Sequence, residues 1–370
     1  MKKRFLSAGL AVVMAASLTA CGGSGSASTT AAAAGESKAE GESSAAADGA
    51  VFKIGGIGPV TGGAAVYGLA VQHGAEIAVK EINDAGGING VPIEFQFQDD
   101  EHDAEKSVNA YNTLKDWGMQ VLMGTVTSAP CIAVADKTAA DNMFQITPSG
   151  SAVECAENPN VFRVCYSDPA QGTASAKYIG EHKLASKVAV IYDSSDVYSS
   201  GIYEKFAQEA PNQGIEVVDA EAFTADSNKD FSTQLQKAKE SGAELVFLPI
   251  YYTEASLILQ QANTMGFAPQ FFGCDGMDGL LQVQNFDVKL AEGLMLLTPF
   301  AADATDDLTV NFVKSFEDAY GETPIQFAAD AYDAIYIIKA AMEEANVTPD
   351  MSVSDICDAM EGAMTQIKVD

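Results

Sequence analysis

The residues best placed to do chemistry sit at the ends of short apolar runs. Thr125-Val126-Thr127-Ser128-Ala129-Pro130 follows one such run, and Pro130 suits the first turn of a helix, which puts Thr127 and Ser128 at its N-cap. Free N–H groups at a helix start attract a carboxylate. Ser128 can equally cap its own helix and touch no ligand, and spacing leaves the two readings open. A second hydroxyl loop, Pro148-Ser149-Gly150-Ser151-Ala152, is small and polar, and Gly150 permits close backbone approach. Later runs end in Asp193…Tyr198, in Tyr251-Tyr252 and in Cys274-Asp275-Gly276. A cleft assembled from these pieces can hold a zwitterion: hydroxyls and helix N-termini for a carboxylate, one carboxylate for an ammonium, rings for a side chain. Taken alone, Asp275 reads as a solvated turn residue before Gly276.

Other chemistries find less support. Three His (His73, His102, His182) and six scattered Cys show no CxxC or HxxxH spacing, so neither a metal site nor a bound cofactor is expected. There is no Gly-x-Ser-x-Gly elbow and no His placed to activate a Ser or Cys, which argues against an enzyme. The loop Gly55–Gly63 sits where dinucleotide fingerprints occur, but Pro59 breaks the spacing and no strand-terminal acid follows. The run Asp99–Asp103 lacks the Gly-punctuated alternation of a calcium loop. A net charge of −30 excludes nucleic acid and anionic membrane surfaces as main partners.

The elements that must position these residues alternate along the chain. Strand-like runs at Phe52–Ile57, Ile93–Gln98, Val121–Gly124, Met143–Thr147, Val188–Tyr192, Glu216–Ala220, Leu245–Tyr251, Gln270–Gly273 and Leu294–Leu297 are separated by helical stretches. In the first helix Val71, Ala75, Ala78 and Ile82 form an apolar stripe that Gly86-Gly87 terminates. Repeated βα units predict an α/β doubly wound architecture with function at the strand C-termini. The segment from Val51 exceeds the roughly 250 to 300 residues at which one core stops growing, so two domains are expected.

Ahead of this region, Lys2, Lys3 and Arg4 precede an apolar run from Phe5 to Leu18, too short to remain as a membrane span. Residues 1–21 therefore read as an export signal. Residues 22–50 hold almost nothing but Gly, Ser, Ala, Thr and a few charges, which describes a disordered tether. Lys2, Lys3, Arg4 and Lys38 balance Glu36, Glu40, Glu42 and Asp48, so the acidity belongs to the remainder of the chain.

Two resemblances sharpen these expectations. Leu18-Thr19-Ala20-Cys21-Gly22 resembles the lipobox of bacterial lipoproteins, implying lipid on Cys21 and an exported protein anchored at the outer face of a membrane. Pro59-Val60-Thr61-Gly62…Tyr67-Gly68, Glu81-Ile82-Asn83…Gly86-Gly87-Ile88-Asn89-Gly90, Asp99-Asp100, Thr147-Pro148, Phe162-Arg163…Asp168…Gln171-Gly172, Lys229-Asp230-Phe231-Ser232 and Phe272-Gly273…Asp275-Gly276 closely resemble the leucine/isoleucine/valine-binding protein family. These are receptors of branched-chain amino acid ABC transporters. The resemblance implies a type I periplasmic-binding-protein fold, two doubly wound parallel-sheet lobes joined by three crossovers. It places residues 51–168 and 299–350 in the N-terminal lobe, with 169–298 and 351–370 in the C-terminal lobe.

It further implies a ligand held by Tyr67, Thr127, Ser128, Ser149 and Ser151 on one lobe and by Tyr198, Tyr251 and Asp275 on the other, Asp275 taking the α-ammonium. Phe327, otherwise a core residue of a helix, would shape the side-chain pocket. The expected partners are a small amino acid and permease subunits, the expected state a monomer. An aromatic amino acid, an amide, an aromatic acid or a sensing role are the alternatives. Two departures stand out. The family continues into a Gly-containing hairpin past the last helix, whereas this sequence stops at Asp370 and reads as truncated. Some relatives also bridge two Cys near the positions of His102 and Thr127, a bridge that cannot exist here. Of Cys131, Cys155, Cys165, Cys274 and Cys357, the expected disulfide joins Cys155 to Cys165 or to Cys131.

Overall fold

The computed structural model describes residues 49–369. The export signal, the tether up to residue 48 and Cys21 lie outside the described residues. Strands β1 (Phe52–Gly58), β2 (Ile93–Asp99), β3 (Val121–Gly124), β4 (Gln145–Thr147) and β5 (Val161–Arg163) form one sheet in the order β2-β1-β3-β4-β5. Strands β6 (Lys187–Asp193), β7 (Glu216–Phe223), β8 (Leu245–Leu248), β9 (Gln270–Gly273) and β10 (Met295–Leu296) form a second, in the order β10-β9-β8-β6-β7. Every neighbouring pair in both sheets is parallel. The second sheet repeats the connectivity of the first, and in both the winding reverses beside the opening strand, between β1 and β3 and between β6 and β8. Crevices at the strand C-termini open at such reversals.

Ten α-helices accompany the strands among the described residues: α1 (Ala65–Asp84), α2 (Ala104–Trp117), α3 (Ser128–Asp141), α4 (Asp168–Glu181), α5 (Val197–Glu209), α6 (Ser232–Glu240), α7 (Tyr252–Thr264), α8 (Asp307–Tyr320), α9 (Gln326–Glu344) and α10 (Val353–Ala363). None is long and apolar enough to cross a membrane. The stripe Val71, Ala75, Ala78 and Ile82 is buried on α1. That helix runs close against α9, and Gly74 explains how close: a Cβ there would lie 2.1 Å from the Ala328 carbonyl oxygen. Of the three crossovers implied by the resemblance, two lie among the described residues, one after β5 and one after β10.

Three differences from the expected layout have physical causes. β5 was not foreseen, because three residues at a sheet edge carry no periodicity to detect. β8 stops at Leu248 and not at Tyr251, since Pro249 has no N–H for the ladder. Residues 351–370 were expected in the C-terminal lobe, yet α10 packs against α9, burying Ile356, Cys357 and Met360. Its polar edge meets the N-terminal lobe: Asn142 Nδ2 donates to Ser354 Oγ at 2.8 Å and to Asp358 Oδ1 at 2.7 Å, and Gln120 Nε2 to the Pro349 carbonyl at 3.0 Å.

The expected disulfide does not form. Cys131, Cys155, Cys165, Cys274 and Cys357 are all buried free thiols. The Cys131 and Cys155 thiols lie within hydrogen-bonding reach of one another, and each has a further partner: Cys155 donates to the Ser128 carbonyl at 3.6 Å, and Cys131 accepts from Gln145 Nε2 at 3.7 Å.

Candidate functional site

The strand ends at the two reversals face one another. Tyr67, Val126, Thr127, Ser128, Ser149, Ser151 and Phe327 from the first lobe, and Tyr198, Tyr251, Asp275 and Gly276 from the second, line one cavity. All nine residues singled out in the sequence for this cleft are therefore brought together.

One wall carries the hydroxyl loops. Thr127 is the N-cap residue of α3, yet no side chain caps that helix. Instead the Thr127 hydroxyl meets His102 Nδ1 at 2.8 Å, and Ser128 Oγ accepts the Ala152 N–H at 3.2 Å. Ser128 does not cap its own helix, and the first-turn N–H groups of α3 keep no side-chain partner. Ser149 Oγ donates to the Val126 carbonyl at 2.7 Å, tying the two loops together. The backbone around Ser151 is held from behind by Arg163, whose Nη1 donates to the Ser151 and Ala152 carbonyls at 3.1 and 2.9 Å.

The opposite wall carries the acid. Asp275 is buried at 3% exposure, with Oδ1 accepting from the Tyr198 hydroxyl at 2.7 Å and its own N–H donating to Gln171 Oε1 at 3.2 Å. None of the ion pairs among the described residues includes it. Burial pushes its carboxyl above the usual range, with the Tyr198 and Gln171 contacts opposing. A cation entering the cavity would reverse that balance.

Aromatic rings close the remaining sides. Tyr67 stacks on Phe327 with centroids 4.2 Å apart, and Tyr198 stacks on Tyr251 at 4.8 Å. His102 meets the Tyr251 ring edge-on at 5.5 Å, and burial holds its imidazole below its ordinary value despite Asp103 and Asp193. The sequence reading missed His102, which lay inside an acidic run, and missed Val126 and Gly276, which contribute space and backbone. For Gly276 the signal was available in its place beside Asp275.

Among the described residues no group of His, Cys, Asp and Glu is arranged to hold a metal ion. The arrangement offers neutral hydroxyls and open N–H groups on one side, a buried carboxylate on the other and apolar rings between. It is a two-lobed binding site.

Residues 51–368 match the periplasmic binding protein family. The chain is 31% identical to Leu/Ile/Val-binding protein homolog 3 of Brucella melitensis over 80% of each protein. It is 30% identical to the leucine-, isoleucine-, valine-, threonine- and alanine-binding protein of Pseudomonas aeruginosa, over 79% of this chain and 78% of that one. The fold superposes with a TM-score of 0.77 on the branched-chain amino acid transporter substrate-binding protein LivJ of Streptococcus pneumoniae in complex with isoleucine, at 28% identity over 84% of this chain and 87% of that one. The chain belongs to the periplasmic binding protein family, among the Leu/Ile/Val-binding proteins.

Proposed function

We propose that this chain is the extracytoplasmic receptor of an ABC importer for a branched-chain amino acid, anchored by lipid on Cys21, working as a monomer and catalysing no reaction. In this reading the uncapped first turn of α3 and the hydroxyls of Ser128, Ser149 and Ser151 receive the α-carboxylate, with Thr127 oriented by His102. Asp275 receives the α-ammonium. Tyr67, Tyr198, Tyr251 and Phe327 enclose an apolar side chain. Closure hands the loaded lobes to the permease.

The observation that carries the reading is the buried Asp275 without a cationic partner, set across a small ring-lined cavity from the open end of α3. Relatives bearing leucine, isoleucine and valine in their names support the ligand class. Thermal-shift and calorimetric titration with leucine, isoleucine, valine, phenylalanine and benzoate provides the test. A branched-chain amino acid at 100 times its Kd should add about 2.7 kcal/mol to stability. Stabilisation by benzoate with none from the amino acids would overturn the assignment.

A further inference from the structure

Helices α1 and α7 begin on opposite lobes and face each other at the mouth of the cleft. Neither has a side-chain cap of its own: the N-cap residues are Ala64 and Tyr251, and neither makes a capping hydrogen bond. Each is served by a tyrosine from the other helix. The Val66 N–H, in the first turn of α1, donates to the Tyr252 hydroxyl at 3.2 Å. The Tyr252 N–H, in the first turn of α7, donates to the Tyr67 hydroxyl at 3.2 Å, and that hydroxyl in turn donates to the Gly276 carbonyl. The two rings meet edge to face, with centroids 4.8 Å apart. Beside them the Thr253 hydroxyl donates to the Gly63 carbonyl at 2.8 Å. Tyr252 is buried, but it does not line the cavity.

From this reciprocal capping we infer that Tyr252 is a positioning residue that governs how firmly the lobes close, setting the affinity for every ligand of the cleft without touching any of them. The first N–H groups of a helix need a partner; the Ala65 and Tyr67 N–H groups close local turns onto the Gly62 and Ala64 carbonyls, whereas those of Val66 and Tyr252 find theirs across the cleft. Separating the lobes removes both caps, both hydroxyl contacts and the ring contact together. A ligand shifts an open–closed equilibrium only by its preference for one state, so the intrinsic stability of the closed state multiplies every affinity by one common factor. The inference rests on the proposed reading of the cleft as an amino-acid site, and it makes Tyr67 bifunctional, a ring of the pocket wall and the hinge pin of the capping pair.

The test uses the folded protein with Tyr252→Phe, which keeps the ring and removes one hydroxyl, and Thr253→Val, which removes the rim contact. With Tyr252→Phe, Kd for leucine, isoleucine and valine should rise by one shared factor of about 5- to 30-fold, the loss expected when a buried N–H loses its partner. The change should appear in the dissociation rate, with association nearly unchanged. Thr253→Val should act in the same direction by a smaller factor. Spin labels on Lys80→Cys and Gln236→Cys, one on each lobe, give a readout that needs no ligand: the distance distribution should move to longer separations in Tyr252→Phe. Unequal losses among the three amino acids would place Tyr252 in the side-chain pocket and overturn the inference, as would unchanged affinity or superimposable distance distributions. Failure of the wild type to bind any of the three would strike the amino-acid reading instead, and the label distances would still decide the role of Tyr252.

Discussion

The Tyr198 hydroxyl donates to the Asp275 carboxylate at 2.7 Å and accepts the Gly276 N–H at 2.9 Å, so one phenol fixes both the acid and the backbone beyond it. The acid is thereby oriented before any ligand arrives, while its charge is left without a counter-ion. Preorganised geometry with an unmet electrostatic demand is what a selective ammonium site requires, because the cost of desolvating Asp275 is already incurred in the folded lobe.

Replacing that charge while keeping the shape tests the demand. Asp275→Asn still accepts the Tyr198 hydroxyl through its amide oxygen, so folding should be retained. Truncating one partner of a buried charge pair costs about 2 to 5 kcal/mol, equivalent to roughly 30-fold to several thousand-fold in Kd for leucine. Calorimetry with leucine and with 4-methylpentanoate, which has the same skeleton and no amine, should show strong discrimination by the wild type and little by the variant. Equal leucine affinity in both proteins would reduce Asp275 to a turn residue.

How much of this was legible beforehand depended on how local the cause was. Strand ends followed by Ser, Thr, Tyr or Asp were readable because apolar runs and turn residues act within a few positions, and those ends converge on the cleft. Phe327 was not readable from periodicity, since a ring on the buried face of a helix looks the same whether it faces core or cavity; family resemblance alone singled it out. His102 escaped both routes, and Tyr252 was legible only as part of a strand end, with no sign of the contacts it makes. Their roles arise from partners far away in sequence, Thr127 and Tyr251 for one, Val66 and Tyr67 for the other. The placement of α10 failed for the same reason: its amphipathic pattern says that one face is buried and says nothing of which lobe buries it.

The approach of α1 to α9 yields a stability prediction. Gly74→Ala would set a Cβ 2.1 Å from a backbone oxygen that belongs to a packed helix and cannot swing away. Ala favours a helix by about 1 kcal/mol over Gly, but overpacking of this kind costs about 1 to 3 kcal/mol and here should exceed that gain. Urea denaturation should show a lowered midpoint. A raised midpoint would mean that the two helices separate easily.

Anchoring is tested apart from binding. Growth in radiolabelled fatty acid should label the wild-type protein, and Cys21→Ala should abolish the label while leaving leucine binding by the released protein unchanged. Label retained on the variant would refute acylation at Cys21, and lost binding would show that the substitution reaches the folded region.

Stability should fall as pH rises across the neutral range, and the sign follows from the buried acids. Burial, opposed by Ser151 and reinforced by Asp275 and Asp196, pushes the Asp168 carboxyl up to about 8; burial likewise pushes Asp100 up to about 7 and Asp196 and Asp278 up to about 6. In the unfolded chain such groups titrate near about 3.9. Between those limits the folded state holds more protons than the unfolded state, so the slope of unfolding free energy against pH is negative. The loss begins above the unfolded value and is complete once pH passes the folded one. The net charge of −30 adds self-repulsion in the same direction, so a falling curve alone cannot be credited to Asp168. Asp168→Asn separates the two, because it changes total charge little and removes a carboxyl pushed up to about 8. Urea midpoints of the ligand-free proteins, measured at about pH 5 and about pH 8, should show the variant gaining on the wild type as pH rises. A difference between them that is the same at both values would mean that the Asp168 carboxyl ionises in the folded protein as readily as in the unfolded chain.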